Sequence, residues 1–289
     1  IAAVTDESGE VVLWRNLGAP SESLNIPKYY SSCGIAHTRW ATHGEVSIEN
    51  THPHHSLDKQ VCLVHNGVIE NSDNLRDRLE EHKIKFYGET DSEVLVNLIA
   101  FYLEKSKKDF LGALRLALND VEGTYGLAVL FKGDSNSIYV ARRSSPIALG
   151  IGNGENYVVS DVDALPENIE KIIYLKDGNI ALLKRDNFKL YDFNNEVVEV
   201  LSQSIRHKKT FSRSLGEFSS YLEKEIFKQP CSIRDTMRGR FTKEFDSVVL
   251  GGVNLEKKIK RVLFLGCGTA YNAGLLGKYY MENIAGLPA

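Results

Sequence analysis

At 289 residues, 43% hydrophobic and 25% charged, the sequence has the length for one large or two ordinary domains and enough apolar content to bury a core in each. A net charge of -3 argues against nucleic acid or an anionic membrane as partner, because the basic runs at 105–108, 206–209 and 257–261 are short and offset by acids. No apolar run approaches the ~18 residues of a membrane span, and Cys33, Cys62, Cys231 and Cys267 form no Cys-x-x-Cys pair, which fits a reducing, cytoplasmic setting.

The chain opens in mid-pattern at Ile1 instead of Met and reads as a fragment. "IAAVTDESGEVVLWR" alternates apolar stretches around a turn at Asp6, Ser8 and Gly9, which predicts a hairpin. "GIAHTRW" and "VCLVHNGVI" read as strands separated by a loop from Gly44 to Lys59. Residues 73–82 predict a short amphipathic helix. "TDSEVLVNLIAFYLEK" predicts a longer one with Val94, Leu95, Leu98, Ile99, Tyr102 and Leu103 on one face, and "FLGALRLALNDV" a third.

From Gly123 the pattern changes to strands: "GTYGLAVLF", "SIYVARRS", "IALGIG", "NYVVSD", "KIIYLKDGNIALLKR", "KLYDF" and "EVVEV", two of them carrying Asp-Gly or Asn-Asn turns. Strands, helices and then a run of antiparallel strands predict an α+β fold, not alternating βαβ units. Apolar content falls at 206–220, which marks a linker between a domain at 1–205 and a second segment at 221–289. There "YLEKEIFKQPCSIRDTM" predicts a helix that ends at Pro230, and "KRVLFLGCGTAYNAGLLGKYY" predicts a strand, a glycine turn and a helix, the first βα unit of an α/β domain.

Three segments could carry chemistry. Residues 34–56 hold His37, Arg39, Trp40, His43, His52, His54 and His55. A metal site would need three or four ligands at a recognisable spacing, and no acidic or cysteine partner completes one, so histidines that hydrogen-bond or buttress a loop are the simpler reading. Asn66-Gly67 is either a hairpin turn or an oxyanion hole, in which an Asn amide and the glycine N–H point at one developing charge while the missing side chain lets a ligand approach. Asp91, at a helix start, is either an N-cap or a carboxylate for a substrate ammonium. Arg39 is either a structural bridge or the clamp for a substrate carboxylate.

The ordered segments "GIAHTRWATHG", "HPH", "VHNGVIEN", "ETDSEV", "EGTYGLAVL", "ARRSSPIALGIGNGENYVVSD", "KEIFKQP" and "GCGTAYNAG" resemble the glutamine–fructose-6-phosphate aminotransferase (isomerising) family across essentially the whole chain. The resemblance implies an N-terminal-nucleophile hydrolase αββα sandwich followed by the start of a sugar isomerase (SIS) domain. It also implies L-glutamine and D-fructose 6-phosphate as substrates, no cofactor or metal, and a homodimer formed through the sugar domain. By that resemblance Asn66 and Gly67 form the oxyanion hole, Arg39 and Asp91 hold the carboxylate and amine of glutamine, Trp40, Thr42 and His43 belong to the loop closing over it, and Thr269 contacts the sugar phosphate.

Two features depart from the family pattern. Its nucleophile is an N-terminal cysteine, and no cysteine here is terminal; Cys33-Gly34-Ile35 spells the family's opening tripeptide but abuts Arg39 and cannot serve. The segment as given is therefore expected to hydrolyse no glutamine. Ala270 stands where the family carries a serine, which removes one phosphate hydrogen bond worth about 0.5–1.5 kcal/mol. Another amidotransferase of the same catalytic fold, or a non-catalytic module binding glutamine or a sugar phosphate, are the competing readings.

Overall fold

The computed structural model describes residues 2–6, 8–18, 31–39, 45–106, 109–193, 196–198, 215–237, 239–240, 248, 259–266 and 268–289. The chain falls into two compact units, Ile1–Lys208 and Lys209–Ala289.

In the first unit β1 (Ala2–Thr5) and β2 (Val11–Trp14) form the expected antiparallel hairpin, with Ala2 opposite Trp14. Its turn is pinned by Asp6, whose Oδ1 accepts from the N–H of Ser8 at 2.9 Å and of Glu10 at 2.9 Å. β3 (Gly34–Ala36) pairs on the other side of β1; the strand expected over "GIAHTRW" stops at Ala36. Within the stretch expected to be loop, His54–His55 forms a two-residue strand, β4, against β5 (Val61–Ile69).

Three helices follow, α1 (Ser72–Glu81), α2 (Asp91–Lys105) and α3 (Phe110–Asp120). Then come β6 (Gly123–Phe131), β7 (Asp134–Arg143), β8 (Ala148–Ile151), β9 (Asn156–Val159), β10 (Lys171–Tyr174), β11 (Ile180–Lys184) and β12 (Phe188–Tyr191). The long strands make a six-stranded antiparallel sheet in the order β12-β11-β7-β6-β5-β4, while β10-β8-β9 form a separate three-stranded sheet. The Asp177-Gly178 turn therefore joins two sheets: β10 pairs with β8 and β11 with β7. Of "EVVEV", Val197 makes an isolated bridge to Tyr191, and Glu199 and Val200 lie outside the described residues.

The six-stranded sheet is buried on both faces, which is why β5, β6 and β7 read as nearly continuous apolar runs. Period-two alternation sorts their side chains. Leu63, Leu127 and Val129 pack with Leu95, Leu98, Leu114 and Leu118 on the helical side. Val64, Ala128 and Leu130 pack with Ile35, Ile147 and Leu149 on the other. The order is helices, long sheet, second sheet layer, and outside α1–α3 the described part of this unit holds one more helical element, the 3-10 turn Val162–Ala164.

In the second unit α4 (Tyr221–Met237) runs through Pro230 instead of ending there. A proline removes the N–H that would reach the carbonyl four residues back and tends to end a helix. None of α4 is buried, so that carbonyl, on Ile226, is open to water. Residues 259–266, expected to be a strand, form none: a parallel strand exists only when paired, and the described residues offer it no partner. Phe264 instead lies against α5 (Thr269–Asn283), where any side chain on Gly277 would sit 2.9 Å from its ring.

Candidate active site

β5 carries Asn66 and Gly67 in its interior, paired with Gly126 and Tyr125 of β6, so the hairpin-turn reading of this dipeptide is wrong. Gly67 has φ 134°, and a Cβ there would lie 2.2 Å from the Thr124 carbonyl oxygen. Glycine is thus demanded by the close approach of β6; the space its missing side chain leaves is taken by Thr124 and not by a ligand. The wall of a cavity of about 430 Å³ includes Asn66, with Ile35, His37, Val64, Ala128 and Ile147 around it. Among the described residues Asn66 makes one side-chain hydrogen bond, its Oδ1 accepting from His37 Nε2 at 2.8 Å.

The N-cap of α2 is Thr90, whose hydroxyl accepts from Glu93 N–H at 3.2 Å. That overturns the capping alternative for Asp91, which sits in the first helical turn with its carboxylate turned toward the end of β5. Its Oδ2 accepts from the Ile69 N–H at 2.8 Å and its Oδ1 from the Ser92 hydroxyl at 3.2 Å. These bonds fix the direction of the carboxylate.

Behind these groups lies a set of imidazoles, His52, His54 and His65 buried and His37 half-buried. Ser92 Oγ is 3.1 Å from His52 Nε2 and 2.9 Å from His65 Nδ1, so one hydroxyl joins both rings to Asp91. His52 lies against His37 with centroids 4.2 Å apart and the rings tilted by 33°, and meets His54 edge-on at 4.8 Å; His54 Nε2 is 3.1 Å from the Thr90 hydroxyl. Burial is the main cause that lowers the pKa of all four rings. His52 falls well below the ordinary value and His54 to about 3, while the Asn66 hydrogen bond opposes the shift at His37 and the Asp91 carboxylate opposes it at His65. These histidines are neutral hydrogen-bonding supports. Among the described residues no group of three or more His, Cys, Asp or Glu is arranged to hold a metal ion.

Arg39, half-buried, donates to the Glu45 carbonyl at 3.2 Å, and neither it nor Asp91 lines the cavity. Trp40, Thr42 and His43 lie outside the described residues, as do 206–214 of the expected linker. Thr269 is the exposed first residue of α5, after Gly268 at φ 56°. Cys33 and Cys62 are buried with thiols pushed up by burial, Cys62 to about 12, so neither supplies a thiolate. Sequence reasoning assigned no role to His37, His65 or Ser92. The only signal for His37 was its position two residues before Arg39; Ser92, in the first turn of a helix, had none.

Residues 37–166 match the family model described as a glutamine amidotransferase domain. The chain is 38% identical over 295 residues to the glutamine–fructose-6-phosphate aminotransferase [isomerizing] of Bacteroides thetaiotaomicron, an alignment covering 99% of the chain and 48% of that protein. It is 40% identical over 266 residues to the protein of the same name from Chlorobaculum tepidum, covering 89% of the chain and 43% of the relative. The chain spans about half the length of the curated relatives it matches. Among solved structures, the glutamine phosphoribosylpyrophosphate amidotransferase of B. subtilis superposes with TM-score 0.53 at 22% identity, over 68% of this chain and 43% of that one, a likeness of fold.

Proposed function

We propose that the chain belongs with the glutamine–fructose-6-phosphate aminotransferases, carrying their glutamine amidotransferase domain on an N-terminal-nucleophile hydrolase fold, and that the protein hydrolyses glutamine and passes the ammonia to fructose 6-phosphate, forming glucosamine 6-phosphate. The observation that carries this reading is Asn66: a carboxamide at the wall of a cavity, next to a glycine at φ 134°, on a strand whose last residue is held by the Asp91 carboxylate.

In this reading a cysteine thiolate attacks the side-chain carbonyl of glutamine, and the oxyanion that forms is held by Asn66 Nδ2 and the Gly67 N–H. The α-amino group of that N-terminal cysteine takes the thiol proton as base and returns it to the leaving nitrogen as the tetrahedral intermediate collapses to thioester and ammonia; water then cleaves the thioester to glutamate and restores the thiol. Asp91 takes the α-ammonium and Arg39 the α-carboxylate of glutamine, and Trp40, Thr42 and His43 cover it. The nucleophile is the N-terminal cysteine the resemblance implies, none of the four in this sequence. Residues 1–205 act as the glutaminase and 221–289 open a sugar isomerase domain, where the exposed N-terminus of α5 with Thr269 suits a sugar phosphate. The protein works in the cytoplasm as a homodimer. Among the described residues no helix is long and apolar enough to cross a membrane.

The test is product analysis on the full-length protein with glutamine, with and without fructose 6-phosphate. Glutamate together with glucosamine 6-phosphate is the expected result. Glutamate alone points to another amidotransferase of this fold, and binding without turnover to a regulatory module. Light scattering that reports a monomer refutes the dimer.

A further inference from the structure

An asparagine amide is an ambiguous oxyanion donor. One edge offers two N–H groups and the other a carbonyl oxygen, and rotation by half a turn exchanges stabilisation of a developing negative charge for repulsion. Nothing in β5 itself decides which edge faces the cavity. The partner that decides it comes from elsewhere in the chain.

His37 follows β3, 29 residues before Asn66, and its Nε2 lies 2.8 Å from Asn66 Oδ1. A carbonyl oxygen only accepts, so Nε2 carries the proton and Nδ1 is bare. Nδ1 of His37 is buried with no hydrogen bond among the described residues, which is tolerable for a lone pair and costly for an N–H. His52, tilted against it at 4.2 Å, holds the ring in place and is itself tied to Ser92. Asn66 Nδ2 makes no hydrogen bond among the described residues, and Asn66 and His37 line the same cavity.

We infer that His37 is a positioning residue for glutamine hydrolysis: its Nε2–H captures the carbonyl of the Asn66 amide and turns the NH₂ edge toward the oxyanion. This rests on the glutaminase reading above. His37 itself moves no proton and touches no reacting atom; the imidazole holds a single tautomer and acts through Asn66.

The experiment compares His37→Leu and His37→Gln in the full-length protein. Leucine fills the site without a donor, whereas the glutamine amide can place a donor near the position of Nε2. His37→Leu is expected to lower kcat for glutamate release about tenfold to a hundredfold, with KM for glutamine within about twofold of wild type, below the loss of about a hundred- to a thousandfold that follows removal of an oxyanion donor. His37→Gln recovers most of kcat. Unchanged kcat in His37→Leu, or a raised KM at unchanged kcat, overturns the inference. Nitrogen-15 shifts of the His37 ring decide the same point without turnover. The Nε2–H tautomer is required, and an Nδ1–H tautomer refutes it. Wild-type protein that releases no glutamate refutes the glutaminase reading, and the ring shifts still test the Asn66 contact independently.

Discussion

The Ile69 N–H donates to Asp91 Oδ2 at 2.8 Å, so the last residue of β5 and the first turn of α2 share one carboxylate. The strand that presents Asn66 is thereby registered against the group assigned to the substrate ammonium. Asp91→Asn keeps an acceptor for Ile69 but loses the charge. Truncating one partner of a buried charge pair costs about 2–5 kcal/mol. The expected result is a KM for glutamine raised at least about thirtyfold with a folded, cooperatively melting protein, measured by steady-state glutamate release. An unchanged KM would remove Asp91 from the binding site.

Ser92 is 2% exposed, and its hydroxyl is shared by His52, His65 and Asp91. Ser92→Ala strands two buried imidazole nitrogens and one carboxylate oxygen, each a group whose unsatisfied burial costs about 1–3 kcal/mol. Denaturant unfolding should show a loss of about 2–4 kcal/mol, part of the penalty being relieved by water entering the space. A midpoint within error of wild type would mean that the hydroxyl is not the hub the distances describe.

Local pattern was enough for what local pattern determines. The hairpin at Asp6, the three helices and the strands from Gly123 to Tyr191 appear where periodicity and turn chemistry put them. Failures came where a short signal has two structural meanings. Asn-Gly suits a tight turn and a strand pressed against a neighbour, and only the approach of Thr124 to Gly67 separates them. Thr90 and Asp91 are adjacent capable caps, and the choice was settled by the demand of Ile69 for an acceptor. The strand expected at 259–266 needed a neighbour that local sequence does not supply. His37 could not be paired with Asn66 beforehand, because that contact depends on β3, in one sheet, packing against β5, in another.

Gly67→Ala combines two faults. It places an L side chain at φ 134° and sets its Cβ 2.2 Å from the Thr124 carbonyl, a backbone group that cannot swing aside. Backbone strain of this kind costs about 1–3 kcal/mol before any clash is counted. The expected outcome is destabilisation of about 3 kcal/mol or more, read as a large drop in Tm or loss of soluble protein. Gly154, at φ 73° with nothing within 4 Å, is the control: Gly154→Ala bears strain without collision and should cost less.

The imidazole set makes stability depend on pH with a definite sign. His37, His52, His54 and His65 have folded-state pKa values below their ordinary 6.5, with His54 at about 3. Between the two values the unfolded chain binds more protons than the folded one, so stability is full above about pH 6.5 and falls as the pH drops toward 3. Each histidine contributes a slope of up to about 1.4 kcal/mol per pH unit within its own window. Urea midpoints of the wild type should therefore decline steeply from about pH 6.5 to about 4.5. His54 sits against Thr90 at 3.1 Å and beside His52, and His54→Gln keeps a polar group there that does not titrate. The variant should be less stable than wild type at about pH 7.5 yet show a shallower decline on acidification. Parallel pH profiles for the two proteins would refute a buried, neutral His54.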